Sequence, residues 1–121
     1  METNRAHGVL ERSTYQPGAY VFRDGDEGDR AYVVQQGTIE IVKDIDGELK
    51  VLGEIGKGGI FGEMALLDNK RRMASARAKE GVTLIVVTRM MFNAKMEKAD
   101  PFLRGLLLIL ADHVRRLSEQ Q

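Results

Sequence analysis

Of the 13 glycines in this 121-residue chain, all but Gly81 and Gly105 lie at or before Gly62. That asymmetry constrains the fold more than any other feature. Glycine supplies the positive-φ positions and close backbone approaches of tight turns, so the first half must turn often and the last third must not. Short runs of strand character sit between the glycines: "AYVFR" over 19–23, "AYVVQ" over 31–35, "TIEIVKD" over 38–44 and "ELKVLGEI" over 48–55. In the third run Ile39 and Ile41 alternate with Glu40, the period of two of a half-buried strand. Asp46–Gly47 predicts a tight hairpin joining it to the fourth. "RMASARA" over 72–78 and "VTLIVVT" over 82–88 read as two more strands. Many short strands punctuated by glycine turns imply an antiparallel sandwich or barrel of jelly-roll type.

The last third changes period. Residues 89–99 are rich in helix formers, with Thr88 placed to cap them. In "DPF", Asp100 reads as an N-cap and Pro101 as the first helical residue. Leu103, Leu106, Leu110, Val114 and Leu117 then recur at helical spacing, and Leu107, Leu108 and Ile109 widen that apolar stripe. The chain therefore reads as mainly β with C-terminal α: a β-roll over about 15–88, helices over about 89–99 and 101–118, and a polar N-terminal segment over 1–14. One domain of this length buries roughly 65% of its unfolded surface, enough for a single core.

Composition removes several function classes. Lys+Arg and Asp+Glu are both 18, so the formal net charge is zero and no general polyanion or nucleic-acid binder is expected. Any anion must be bound locally. The absence of cysteine excludes disulfides, thiolate metal sites and cysteine nucleophiles, and suits a reducing cytoplasm. The two histidines, His7 and His113, stand in the polar N-terminus and the last helix, too few and too scattered for a cupin-type metal site or a haem sensor. No nucleophile–histidine–acid constellation is present, so no enzyme activity, metal or prosthetic group is expected. "METNRAHGVLERS" lacks the apolar stretch of a signal peptide. The longest apolar run, Leu106–Ala111, falls well short of the roughly 20 residues of a membrane span.

One segment carries chemistry. "FGEMALLDNKRRMAS", from Phe61 to Ser75, follows the flexible "GKGG" of 56–59. Gly62 precedes good helix formers that Asp68–Asn69 interrupt, so a short helical turn with unpaired N–H groups is expected, an arrangement that attracts anions. Arg72 follows, and a guanidinium fork beside such N–H groups can hold two phosphate oxygens. Glu63 cannot face a phosphate, but as an acceptor it suits a sugar hydroxyl. Taken singly, Glu63 also reads as a dipole-complementing first-turn acid and Arg72 as a solvated surface residue; their joint spacing raises both above that background. Of the adjacent pair Arg71 and Arg72, one is expected to face solvent.

This segment resembles the phosphate-binding cassette of the cyclic nucleotide-binding domain family, F-G-E-x-A-L followed by a loop and R-x-A-[ST]. Phe61, Gly62, Glu63, Ala65, Leu66, Arg72, Ala74 and Ser75 stand at the matching positions. "GAYVFRDGDEGDRAYVVQQGTIEI" is similar to the family's upstream glycine and strand pattern, so the resemblance covers roughly Tyr15 to Leu117. It implies an eight-stranded antiparallel β-roll with a short cassette helix and two C-terminal helices, working as a regulatory sensor. Glu63 would accept the ribose 2′-hydroxyl and Arg72 would pair with the cyclic phosphate. The N–H groups of Gly62, Met64 and Ala65 would complete the cradle, with Met73, Ala74 and Ser75 close by. Ile41 and Leu52 would line the sugar and base side. The last helix would swing inward as a lid, with Leu107, Leu110, Arg115 and Arg116 as its candidate contacts.

The departures from the pattern bear on selectivity. Met73 stands where cyclic-GMP-preferring members often carry Thr or Ser, which favours cyclic AMP as ligand. Arg71 replaces a common proline, and Gly59–Ile60 replace a usual acidic residue. The implied partners are the cyclic nucleotide and a protein effector or output domain outside this sequence, with no direct nucleic-acid contact and with the greasy last helix as a candidate homodimer surface. The alternative is a degenerate domain without ligand that acts as an interaction or dimerisation module.

Overall fold

The computed structural model describes residues 11–119. Eight strands precede two helices: β1 Glu11–Tyr15, β2 Tyr20–Phe22, β3 Arg30–Gln36, β4 Ile39–Ile45, β5 Glu48–Ile55, β6 Ile60–Phe61, β7 Ser75–Ala78, β8 Val82–Thr88, α1 Arg89–Lys98 and α2 Pro101–Glu119. A single 3-10 turn, Glu63–Leu66, lies between β6 and β7. The strands form two four-stranded sheets, β1-β8-β3-β6 and β2-β7-β4-β5, and every pairing is antiparallel. The sheets share a core that includes Tyr32, Val34, Ile39, Phe61, Ala76 and Leu84.

The hairpin signal holds. Asp46 and Gly47 take φ of 57° and 83°, both positive as a two-residue turn with right-handed twist requires, and the Gly47 N–H donates to Asp44 Oδ1 at 2.9 Å. The caps hold as well. Thr88 Oγ1 accepts from the Met91 N–H at 3.1 Å, and Asp100 Oδ2 accepts from the N–H groups of Phe102 and Leu103 at 3.1 and 3.3 Å. Between the helices Ala99 is extended, at φ −74° and ψ 154°.

Two strands lack a legible sequence signal. β1 pairs with β8 from Glu11 to Tyr15, so strand structure reaches into the segment read as polar through residue 14. As an edge strand it needs backbone pairing on one side only, and its side chains are exposed or half-buried. The rest of that segment, 1–10, lies outside the described residues. β6 is only two residues long, too short for any period to show.

The apolar stripe of α2 is not core. Leu103, Leu106, Leu110, Val114 and Leu117 are all exposed, and so are Leu107, Leu108 and Ile109. The Arg104 guanidinium ties the start of α2 to α1 through the carbonyls of Met96 and Glu97, at 3.5 and 3.2 Å. No helix among the described residues is long and apolar enough to cross a membrane.

Candidate functional site

A cleft of about 800 Å³ opens beside the 3-10 turn. Its floor is apolar, from Phe22 on β2, Ile41 on β4, Ile55 on β5 and Phe61 on β6. Its rim is polar, carrying Glu63, Asp68, Lys70, Arg71 and Arg72. The turn begins at Gly62, whose φ of 72° favours glycine, and the Ala65 N–H donates back to the Gly62 carbonyl at 3.2 Å. That N–H, expected in an anion cradle, is thus engaged within the turn.

Arg72 is held from several sides. Nη1 donates to the Gly62 carbonyl at 3.2 Å and Nη2 to the Arg30 carbonyl at 2.8 Å. Cζ stands 4.0 Å above the Phe22 ring, a cation–π contact. Phe22 leans in turn on Phe61 and Tyr32, with ring centroids 6.1 and 6.2 Å away. The Nε is buried and has no partner among the described residues. Burial pushes the guanidinium's pKa down, because desolvation disfavours the charged form; arginine remains charged nonetheless. An anion brought to this edge meets a fixed, partly desolvated cation. Among the described residues the neighbouring Glu63 carboxylate has no hydrogen-bond or ion-pair partner, which leaves it open to accept from a ligand.

The backbone under Arg72 is fixed by a second loop. Arg72 N–H donates to the Asp26 carbonyl and its own carbonyl accepts from the Gly25 N–H, both at 2.8 Å. Lys43 Nζ bridges Asp24 Oδ2 at 2.9 Å and the Met73 carbonyl at 2.7 Å. Arg71 turns away to the Gly25 carbonyl and Glu27, at 3.0 and 3.4 Å, so the adjacent arginines do part company.

The cleft brings together nine of the eleven ligand-site residues read from sequence: Ile41, Phe61, Gly62, Glu63, Met64, Ala65, Arg72, Met73 and Ala74. Leu52 and Ser75 are not among its lining. In the β4–β5 register Ile41 faces Gly53 and Val42 faces Val51, so Leu52 is the extra residue of a β-bulge and is 54% exposed. Ser75 Oγ accepts from the Asp24 N–H at 2.8 Å, a structural contact. The lid candidates Leu107, Leu110, Arg115 and Arg116 also lie off the cleft lining. Both arginines instead pair with Asp112 within their own helix, Arg116 at 2.7 Å.

The residue that sequence reasoning missed is Arg89. Its guanidinium donates to the carbonyls of Ala65, Asp68 and Gly28 at 2.7, 2.8 and 3.2 Å, and to Asn69 Oδ1 at 2.6 Å. Its own N–H reaches the Asp29 carbonyl at 2.7 Å. One side chain thereby ties the 3-10 turn, the loop before β3 and the start of α1. A signal was there to read: a cation in the first turn of a helix opposes the macrodipole and needs another reason to be present.

Fold and cleft together define a β-roll domain whose apolar-floored cleft carries a partly buried arginine on its rim. A family model described as cyclic nucleotide-binding domain matches residues 12–99, and the chain belongs to that family. The cyclic AMP receptor protein of Thermus thermophilus is 31% identical over 115 residues, covering 94% of this chain and 53% of that protein. A cAMP-dependent protein kinase regulatory subunit from Blastocladiella emersonii is 39% identical over 79 residues, covering 64% of this chain and 20% of that subunit. This chain thus spans about half of the first relative and a fifth of the second. Among solved structures, the half-site-occupied form of the EAL enzyme Bd1971 superposes with a TM-score of 0.82 at 35% identity, over 91% of this chain and 99% of that one. The cAMP-bound form of the same enzyme gives 0.71 at 35% identity, over 91% of this chain and 29% of that one.

Proposed function

We propose that this chain is a regulatory sensor that binds cyclic AMP in preference to cyclic GMP in the cleft beside the 3-10 turn. The carrying observation is the juxtaposition of a fixed, partly desolvated Arg72 with a Glu63 that has no partner among the described residues, above an apolar floor. Arg72 takes the cyclic phosphate, Glu63 accepts the ribose 2′-hydroxyl, and Ile41 and Ile55 lie against sugar and base. Met73 offers no hydroxyl to a guanine amino group, which supports the adenine preference. The action is recognition and not catalysis, in the cytoplasm. The signal passes to the helices: α2 closes over the ligand, driven only by the difference in affinity between open and closed states. The effector is a separate protein or an output domain.

Side-by-side calorimetric titration with cyclic AMP and cyclic GMP tests this. Tighter binding of cyclic AMP supports the reading, while equal affinities remove the selectivity and silence with both removes the function. Glu63→Gln adds a finer test: it should weaken cyclic AMP and leave a 2′-deoxy analogue unaffected. One observation favours a second reading. The exposed leucines of α2 suit a ligand-free interaction module, and that reading requires both titrations to be silent.

A further inference from the structure

We infer that Gly28, in the loop before β3, is a positioning residue for Arg72, and that its missing side chain is what lets the guanidinium occupy its seat in the cleft wall. The inference rests on the assignment of Arg72 to the phosphate. A Cβ built on Gly28 would lie 2.4 Å from Arg72 Nε, 2.5 Å from Cζ and 2.6 Å from Nη2. Those distances are far inside the roughly 3.5–4.0 Å of ordinary carbon contact. Gly28 does not sit in the left-handed region, unlike Gly25 at φ 90° and Gly62 at φ 72°. Its backbone would therefore accept any residue, and the demand for glycine there is a demand for space.

The crowded atoms belong to the far end of a flexible side chain, so the arginine yields before the backbone does. It would leave the carbonyls of Gly62 and Arg30 and the Phe22 ring that define its seat. The atom nearest the added methyl, Nε, has no hydrogen-bond partner among the described residues, so no polar contact from them at Nε resists the displacement. The Gly28 carbonyl, which accepts from Arg89 Nη2 at 3.2 Å, is unaltered by an added methyl, so the anchoring of α1 stays in place. Gly28 thus acts on the ligand through Arg72 and not through the fold.

The test is calorimetry with cyclic AMP on the full chain, for Gly28→Ala in the parent and in an Arg72→Ala background, with thermal melting of each. In the parent, G28A should weaken binding about tenfold to a hundredfold, the scale of a lost charge-assisted hydrogen bond, with little change in melting temperature. In the Arg72→Ala background, where every atom that the added methyl would meet is gone, G28A should change affinity by less than about twofold. Parent-like binding by G28A overturns the inference, as does an equal loss in both backgrounds. Arg72→Ala, run alongside, reports separately on the phosphate assignment: if it binds like the parent, that assignment fails whatever G28A does. Should G28A alone not fold, the G28A/R72A pair, relieved of the clash, should still melt cooperatively; failure of the pair to fold also overturns the proposal.

Discussion

The cleft segment from Gly62 to Ser75 and the helix α2 solve opposite problems. The first is short and irregular, yet it is held by hydrogen bonds from Lys43, Arg89 and the 23–26 loop. The second is regular and well capped, yet its large apolar side chains are exposed. Regular secondary structure and tertiary fixation are therefore separate achievements in this molecule. Polar lacing fixes the part proposed to hold an anion in place. The helix with the widest apolar stripe is the one left open, and the proposed closure would act there.

The sharpest way to break this contrast is to truncate a leucine on each side. Leu84 is fully buried, so Leu84→Ala should cost about 2–5 kcal/mol in a denaturant titration. Leu108 is 55% exposed, and Leu108→Ala should stay within about 0.5 kcal/mol. Comparable losses would mean that α2 is packed in solution. Arg72→Ala should lower affinity for cyclic AMP by about 1.5–3 kcal/mol in calorimetry while changing stability less than Arg89→Ala does, since it leaves two carbonyls where Arg89 leaves four acceptors. Arg89→Ala should do the reverse, costing about 1–3 kcal/mol of stability because it leaves several carbonyls unpaired, and hydrogen exchange should quicken in the 3-10 turn before it does in the sheets.

The smallest effect is pH-dependent. The Asp29 carboxyl is held below its usual range, first by its hydrogen bond to Arg30 at 2.8 Å. A depressed carboxyl stabilises the fold above the ordinary carboxylate pKa, and that contribution fades as pH falls through the depressed value. Asp29→Asn should thus be slightly less stable than the parent at neutral pH and converge with it in acid. Asp29 is largely exposed and screened, so the gap should be small. Curves that stay parallel down to acid would remove the ion pair from the account.

Much of this was legible because it depends on local chemistry. The Asp46–Gly47 turn, the Thr88 and Asp100 caps and the spacing of Glu63 and Arg72 are encoded within a few residues of where they act. What escaped is non-local. Strand β1 exists because β8 offers an edge. Leu52 leaves the cleft because a bulge shifts the register after Ile41, which no alternation of side chains could announce. Gly28 and Arg89 gain their roles from segments tens of residues away. The apolar stripe of α2 announces a helix, but amphipathic period says that a face exists and not what covers it.

In the proposed closure, the two-residue joint Ala99–Asp100, extended at Ala99, would make α2 a lever. A rod of 19 residues is about 28 Å long at 1.5 Å per residue, so each 10° of rotation at its base sweeps the tip by about 5 Å. Its base is clamped by Arg104 to α1, and α1 is clamped by Arg89 to the turn that carries Glu63. In the proposed closure, ångström-scale adjustments at the turn would be geared up into displacements as large as a side chain at Leu117.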